Sequence, residues 1–255
     1  MKVTAFVGSA RKKHTYKATE RFLQHLQTLG NIEYEIVALS DYNLKICTGC
    51  KLCLDKGEEL CPLRDDRDIL MEKIIQSDGV LFATPNYSFQ VSGLMKVFLD
   101  RFGFIFHRPM FFGKTFTSIV AQGIYGGNKI VKYLNFAGSG LGFNVVKGCV
   151  VKTLEPMTQE AMKRNDAIIE RQCRRFYKEL LIQKYPNPSL FKLMIYRMSR
   201  TSMQMMLDEK YRDYTYYAEK GWFHSDYYYP VKLNPMKQIM GRLFDFTVRK
   251  MAAQN

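Results

Sequence analysis

Four cysteines stand within a span of fifteen residues in the first quarter of the chain. Cys47, Cys50, Cys53 and Cys61 follow the spacing C-x2-C-x2-C-x7-C, and a proline comes directly after the last one. Because the first three recur at every third position, a curving loop can direct their thiolates to one centre, which the fourth can complete as a tetrahedral ligand set. The pattern favours a four-iron cluster. Zinc and thiols that bind no metal are the alternatives, although structural zinc usually takes two separated C-x2-C pairs.

The composition predicts a soluble globular protein of about one large domain. The chain has 255 residues, of which 47% are hydrophobic and 24% charged, and it contains no apolar run of roughly 18 residues that could span a bilayer. The first residues, MKVTAFVGSARKK, place the apolar run before the charges, the reverse of a secretory signal, so we expect a cytoplasmic protein. Six cysteines, most of them crowded, favour metal or redox chemistry over disulfides.

The net charge of +14 predicts affinity for anions such as phosphates, nucleotides or lipid headgroups. Nucleic acid is not the expected partner, because the sequence has no helix-turn-helix, zinc-finger spacing or RNA-binding aromatic motif. Nucleotide hydrolysis is excluded too, because the GKT at 113–115 has Arg108 where a P-loop needs glycine, and it leads into a strand.

Apolar runs and amphipathic segments alternate five times along the first 182 residues. Strands are predicted at 2–9, 32–40, 79–87, 114–123 and 143–154, and helices at 16–30, 65–78, 91–103, 126–140 and 158–182. This alternation predicts an α/β fold with a doubly wound five-stranded parallel sheet, whose ligands lie at the carboxyl ends of the strands. The predicted first domain is therefore 1–182.

The last part of the chain, 183–255, has a different character. It contains a Met-rich helical segment (190–207), an aromatic stretch (213–230) and a basic amphipathic helix (236–252). We expect a helical extension that packs on the first domain or on a second subunit. Contact of its basic helices with a membrane surface is the less favoured alternative.

The segment after the first strand is suited to a phosphate group. GSARKKHTYK (8–17) supplies hydroxyls at Ser9 and Thr15 and a run of cations, and it leads into a helix. The unpaired N–H groups and partial positive charge of a helix N-terminus bind anions. The segment therefore predicts a phosphate site, with His14 either at the phosphate or facing solvent.

Two further loops are suited to a flat heteroaromatic ring. TPNYSFQVSG (84–93) follows the third strand and AQGIYGGN (121–128) follows the fourth, and they offer rigid backbone, small residues and aromatic rings. The carboxyl ends of these strands share one edge of the sheet with the phosphate segment, so a phosphate-bearing ring compound is the predicted ligand.

These three segments resemble the flavin loops of the flavodoxin-like NAD(P)H-dependent FMN reductase family over about residues 1–155. The family's Pro-x-Tyr and Lys-x-Phe-x-Asp-Arg patterns match Pro85, Tyr87, Lys96, Phe98, Asp100 and Arg101, whereas Ala10 stands where the family usually has proline. The cysteine segment is similar to the compact motif of iron–sulfur flavoproteins, which follows the second strand of the same fold.

The resemblance implies a set of FMN-binding residues. Ser9, Arg11, Thr15 and Tyr16 would surround the phosphate; Pro85, Asn86, Tyr87 and Ser88 would line the ring edge; Gly123, Tyr125, Gly126 and Gly127 would lie opposite. Lys96, Asp100 and Arg101 are expected to be structural, as are His25, His107 and His224, and the thiols of Cys149 and Cys173 are expected in the core.

The expected function is an FMN-dependent oxidoreductase that takes hydride from NAD(P)H and reduces an unknown small-molecule or protein acceptor. No catalytic side chain is required, because the cofactor carries the chemistry. The alternative is an iron–sulfur flavoprotein that carries electrons between protein partners, and a third interpretation is a binding module without a cofactor. The resemblance also implies a homodimer.

Overall fold

The computed structural model of the chain describes residues 1–182 and 184–252. Gln183, where the sequence places the start of the extension, and residues 253–255 lie outside the described residues. The chain forms two compact units, the first made of Met1–Thr48 and Leu63–Lys184 and the second of Gly49–Pro62 and Tyr185–Asn255. Within the described residues, none of the helices has the length and apolarity that a bilayer crossing requires.

The strands of the first unit form one parallel sheet. They are β1 (Lys2–Val7), β2 (Glu33–Ala38), β3 (Gly79–Pro85), β4 (Thr115–Gln122), β5 (Asn144–Val145) and β6 (Cys149–Lys152). The order across the sheet is β2-β1-β3-β4-β5, with β6 also pairing with β4, and every pairing is parallel. This is the doubly wound, flavodoxin-like order, which confirms the predicted fold class.

The helices that connect these strands belong to the same unit. They are α1 (His14–Leu29), and, after the short α2 (Leu52–Asp55) of the second unit, α3 (Arg67–Ile75), α4 (Gly93–Arg101), α5 (Gly127–Gly140) and α6 (Gln159–Leu180). Each lies where its amphipathic pattern predicts a helix. The predicted bounds are within a few residues of the observed ones.

The predicted fifth strand at 143–154 is wrong as one continuous strand. The chain pairs with β4 through β5, leaves the ladder, and pairs with β4 again through β6. At the break, the backbone N–H of Gly148 donates to Asn135 Oδ1 at 3.3 Å instead of to a strand carbonyl. The apolar run in the sequence does not reveal that this N–H bonds to a side chain, so the break in the strand was not predicted.

The two faces of the sheet pack against different layers. On one face Phe82 contacts the rings of Phe6, Phe98 and Phe116 edge-on, at centroid distances of 5.8, 5.3 and 4.9 Å respectively. On the other face, alternate strand residues such as Leu81 pack in a cluster that includes residues of α1 and α6. The side chains named here are fully buried, so the strands are held in place from both faces of the sheet.

The second unit contains the rest of the helices and an aromatic cluster. Its helices beside α2 are α7 (Leu190–Met206), α8 (Arg212–Glu219) and α9 (Pro235–Ala252). The Tyr196 hydroxyl donates to the Trp222 carbonyl at 2.7 Å, and the indole N–H of Trp222 donates to the Tyr228 carbonyl at 2.9 Å. The Met-rich and basic segments are therefore helical as predicted, and the aromatic stretch forms a core.

Candidate functional site

A cavity of about 280 Å³ lies at the carboxyl ends of β1, β3 and β4, and we call it the edge cavity. It is lined by Ser9, Arg11, Lys13, His14, Thr15, Pro85, Asn86, Tyr87, Ala121, Gly123, Thr153, Leu154 and Glu155. All of these residues belong to the first unit. The cavity is therefore where the topology of the sheet predicts a ligand.

The phosphate segment ends at an uncapped helix. Within the described residues, no side-chain hydrogen bond caps the N-terminus of α1, which begins at His14. Ser9 and Thr15 are buried, and the Ser9 hydroxyl donates to the carbonyl of Arg11 at 2.9 Å. Because the first turn has no such cap and its N–H groups carry partial positive charge, an anion is favoured here.

Gly8 ties this segment to the loop after β3. Its N–H donates to the carbonyl of Ala83 at 2.8 Å, and its carbonyl accepts a short hydrogen bond from the Ser92 hydroxyl. The same hydroxyl accepts from the N–H of Met95 at 3.2 Å, which caps α4. A β-carbon at position 8 would lie only 2.8 Å from both Met95 Cβ and Ser92 Oγ, so only glycine allows this close approach.

Asn86 joins the two loops predicted to hold a ring. Its backbone N–H donates to the carbonyl of Ala121 at 2.7 Å, and its side-chain Nδ2 donates to the carbonyl of Tyr125 at 2.8 Å. Both bonds cross from the β3 loop to the β4 segment. The width between these loops is therefore fixed by protein contacts.

A tight turn at 87–90 places an unexpected aromatic ring beside Tyr125. Tyr87 and Gln90 exchange backbone hydrogen bonds of 3.1 and 3.0 Å, and the two central residues, Ser88 and Phe89, have φ angles of 49° and 61°. Positive φ at both central positions is usual for Asn-Gly, and it is strained for Ser-Phe. The turn holds the Phe89 ring, which is 55% exposed, at 5.1 Å from the Tyr125 ring.

The segment after β6 closes a third side of the edge cavity. Thr153 is held by a backbone hydrogen bond of 2.7 Å to the carbonyl of Gln122, and Glu155 Oε1 lies 2.7 Å from His14 Nε2. The hydrogen bond from His14 lowers the pKa of Glu155. Thr153, Leu154 and Glu155 are not among the site residues predicted from the sequence. The sequence feature that could have identified them is the end of the predicted fifth strand, which meets the same edge of the sheet.

The predicted FMN residues divide into two groups by position. Those that line the edge cavity are Ser9, Arg11, Thr15, Pro85, Asn86, Tyr87 and Gly123. Those outside its lining are Tyr16, Ser88, Tyr125, Gly126 and Gly127. The Tyr125 carbonyl accepts a hydrogen bond from Asn86, and Ser88 lies in the turn that follows Tyr87. Tyr16 is half-buried, with Lys12 Nζ 5.6 Å from its ring centre.

The charged residues of the family-like pattern on α4 lie outside the edge cavity. Lys96 Nζ lies 2.5 Å from Asp100 Oδ1 in a half-exposed pair. Arg101 forms a two-pronged pair with Asp65, at 3.0 Å from Nε and 2.9 Å from Nη2. These contacts support the structural role that the sequence predicts for them.

The four crowded cysteines differ in exposure. Cys47 and Cys50 are exposed, Cys53 is half-buried and Cys61 is buried. Across residues 1–182 and 184–252, the structure shows no group of three or more His, Cys, Asp or Glu side chains placed to hold a metal ion. The cluster and zinc interpretations therefore stay predictions from the spacing.

The loop that carries these cysteines is closed at its base. The N–H of Asn43 donates to Asp66 Oδ2 at 2.7 Å, and the N–H of Asp66 donates to the Asn43 carbonyl at 3.0 Å. One step further in, the N–H of Lys45 donates to Asp65 Oδ2 at 3.0 Å. Residues 43–45 and 65–66 thus form a fixed base, whatever the thiols bind.

We expect the thiols to differ sharply in reactivity. Burial raises the pKa of both Cys149 and Cys173 to about 12, so at pH 8 only roughly 1 in 10,000 of each is thiolate. After treatment with a chelator, iodoacetamide should alkylate Cys47 and Cys50 in the folded protein and leave Cys149 and Cys173 unmodified, as read by peptide mass spectrometry. Equal labelling of Cys173 before unfolding would contradict this.

The sheet order and the edge cavity define a flavodoxin-like protein. The chain belongs to the NADPH-dependent FMN reductase family, whose model matches residues 1–153. It is therefore a flavin-dependent oxidoreductase, and the predicted family is confirmed.

Several known proteins are similar to this chain. An iron-sulfur flavoprotein of Archaeoglobus fulgidus is 36% identical over 159 residues, covering 58% of this chain and 71% of that protein. The iron-sulfur flavoprotein MJ1083 of Methanocaldococcus jannaschii is 33% identical over 101 residues, 40% of this chain and 51% of that protein.

Solved structures show the same fold at low sequence identity. RosB, with bound 8-demethyl-8-formylriboflavin-5'-phosphate, has a TM-score of 0.59 and 13% identity over 92% of each chain. The NAD(P)H:quinone oxidoreductase from Methanothermobacter marburgensis has a TM-score of 0.55 and 16% identity, over 68% of this chain and 98% of its own.

Proposed function

We propose that this oxidoreductase binds FMN in the edge cavity, takes hydride from NAD(P)H and passes two electrons to a small-molecule or protein acceptor. One observation carries the proposal: an uncapped, cation-flanked helix start and two mutually fixed loops meet in one cavity at the carboxyl ends of the strands.

The phosphate end of the edge cavity fits the anionic tail of FMN. Ser9 and Thr15 bring hydroxyls to the start of α1, and Arg11 and Lys13 are exposed cations on the same lining. Hydroxyls, helix N–H groups and cations together satisfy the oxygens of a phosphate dianion. Arg11 and Lys13 would also attract the phosphates of a pyridine nucleotide.

The other end fits a planar ring. Gly123 lines the cavity, and a β-carbon there would meet nothing closer than Leu154 Cδ1 at 4.0 Å, so a flat group can approach the backbone. Asn86 fixes the loop spacing, while Tyr87 offers an exposed aromatic surface. Bound FMN would supply the hydride-accepting ring; the residues of this chain bind it, orient it and exclude water from one side.

The second candidate is an electron carrier that contains an iron–sulfur cluster. The cysteine spacing and the similarity to proteins named iron-sulfur flavoproteins favour it. The thiols of the described residues are not arranged as a ligand set in this structure.

One sample purified without air tests both candidates. We expect stoichiometric FMN, with a yellow spectrum that NADPH bleaches, and the carrier would add broad visible absorbance with about four irons per chain. Colourless protein that added FMN does not turn yellow would contradict the flavin site. Yellow protein that neither NADPH nor NADH bleaches would contradict the proposed hydride donor.

A further inference from the structure

A second cavity of the first unit, of about 440 Å³, lies beside the edge cavity. It opens between α1, α6 and the end of β6, and we call it the α1–α6 cavity. His14 and Thr153 line both cavities, so the two share a wall. Its volume is in the range of sites that hold small organic ligands, roughly 300–1,000 Å³.

The inner surface of the α1–α6 cavity is apolar. Val151 and Ile169 are fully buried beneath it, and Met157 and Met162 stand at its sides. Methionine side chains are flexible and polarisable, and they pack well against flat rings. A planar heterocycle therefore fits this surface better than a sugar or a free anion does.

The rim of the same cavity is cationic. Lys17 on α1 and Lys163 on α6 are exposed, and neither takes part in an ion pair within the described ranges 1–182 and 184–252. Asp166, the one carboxylate of the described lining, is already engaged, because Arg21 Nε and Nη2 donate to it at 2.5 and 3.0 Å and His25 Nε2 lies 3.2 Å away. The rim therefore favours a negatively charged group.

We propose that the α1–α6 cavity binds the phosphorylated adenosine half of the pyridine nucleotide. This inference rests on the proposal that NAD(P)H is the hydride donor. The adenine packs on the methionines and Ile169, and its phosphates lie near Lys17 and Lys163. The nicotinamide half reaches the ring end of the edge cavity over the shared wall at Thr153, whose N–H donates to the Gln122 carbonyl beside Gly123. This places the two halves of one dinucleotide in two adjoining cavities.

The test uses the flavin-loaded protein and adenosine 2′,5′-bisphosphate, the adenosine half of NADPH, in a calorimetric titration. The probe should bind and should compete with NADPH. Lys163→Gln should weaken binding roughly fivefold and the Lys17→Gln, Lys163→Gln pair roughly 20-fold, with the larger loss at low salt. KM for NADPH should rise by similar factors while kcat stays unchanged.

Lys178→Gln is the matched control, since Lys178 is an exposed lysine of α6 about 22 Å further along the helix. It should leave both affinity and KM unchanged. Unchanged binding in the double variant, or an equal loss in the control, overturns the proposal.

Two outcomes separate this inference from the proposed function. If NADPH bleaches the FMN but the 2′,5′-bisphosphate does not bind, the inference is overturned and the donor stands. If neither NADPH nor NADH bleaches the FMN, the proposed donor is wrong and the inference falls with it. Recovery of FAD in place of FMN from the denatured protein also overturns it, because the flavin's own adenosine would then be the occupant.

Discussion

Gly8→Ala is expected to weaken FMN binding about 30-fold, which corresponds to about 2 kcal/mol. The new β-carbon would lie 2.8 Å from Met95 Cβ and from Ser92 Oγ, closer than packed atoms allow. Neither neighbour can yield easily, because Met95 is fully buried on α4 and Ser92 caps that helix. The phosphate segment must therefore move, and Ser9 and the start of α1 move with it. Quenching of FMN fluorescence during titration of the apo-protein measures the loss.

Gly93→Ala is the matched control for this substitution. Gly93 begins α4, directly beside Ser92, and a β-carbon there would meet nothing within 4 Å. The control should bind FMN as the unchanged protein does. If Gly8→Ala binds FMN as tightly as Gly93→Ala does, binding of the FMN phosphate does not depend on the position of the phosphate segment.

The part of the site that the sequence predicts follows from the rules of parallel sheets. Successive apolar runs locate the strands, their carboxyl ends share one edge, and the polar and small residues that follow must meet there. This rule predicts Ser9 and Thr15 and the loops that carry Asn86 and Gly123, and all four residues line the edge cavity. For these residues, their position after a predicted strand is enough to predict that they lie at the site.

The missed features depend on contacts that have no period in the sequence. The position of Phe89 depends on two consecutive residues with positive φ, and the dipeptide Ser-Phe does not predict such a turn. The contact of His14 with Glu155 joins residues 141 positions apart. Lys56 Nζ likewise donates to the carbonyl of Lys210 at 3.4 Å, inside the second unit that the cysteine segment joins. Side-chain geometry and long-range packing decide such contacts.

Asp65→Asn is expected to destabilise the protein by roughly 3–5 kcal/mol, because it removes the buried carboxylate charge that forms a two-pronged pair with the Arg101 guanidinium. The side chains of Asp65 and Arg101 are only 1% and 3% exposed, and the carboxylate also accepts from the N–H groups of Lys45 and Arg67. The substitution therefore weakens both α4 and the base of the cysteine loop. Urea unfolding at pH 7 measures the change.

Asp100→Asn on the same helix is the matched control. Its partner Lys96 is 52% exposed and Asp100 itself 45%, so loss of this pair should cost less than about 0.5 kcal/mol. A comparable cost for the two substitutions would mean that burial does not set the strength of the Asp65 pair.

The pH dependence of the Asp65→Asn effect has a definite sign. Burial opposes the charge of Asp65, but hydrogen bonds from Arg101, Lys45 and Arg67 outweigh it and lower the pKa of the carboxyl below 3.8. A lowered folded-state pKa gives stability that is fully present above the unfolded-state pKa, about 3.9, and lost as the pH falls through the folded-state value. The difference between wild type and Asp65→Asn should therefore be constant from pH 7 to about pH 5 and shrink below about pH 4. A difference that grows on acidification would show that the carboxylate is not the stabilising form.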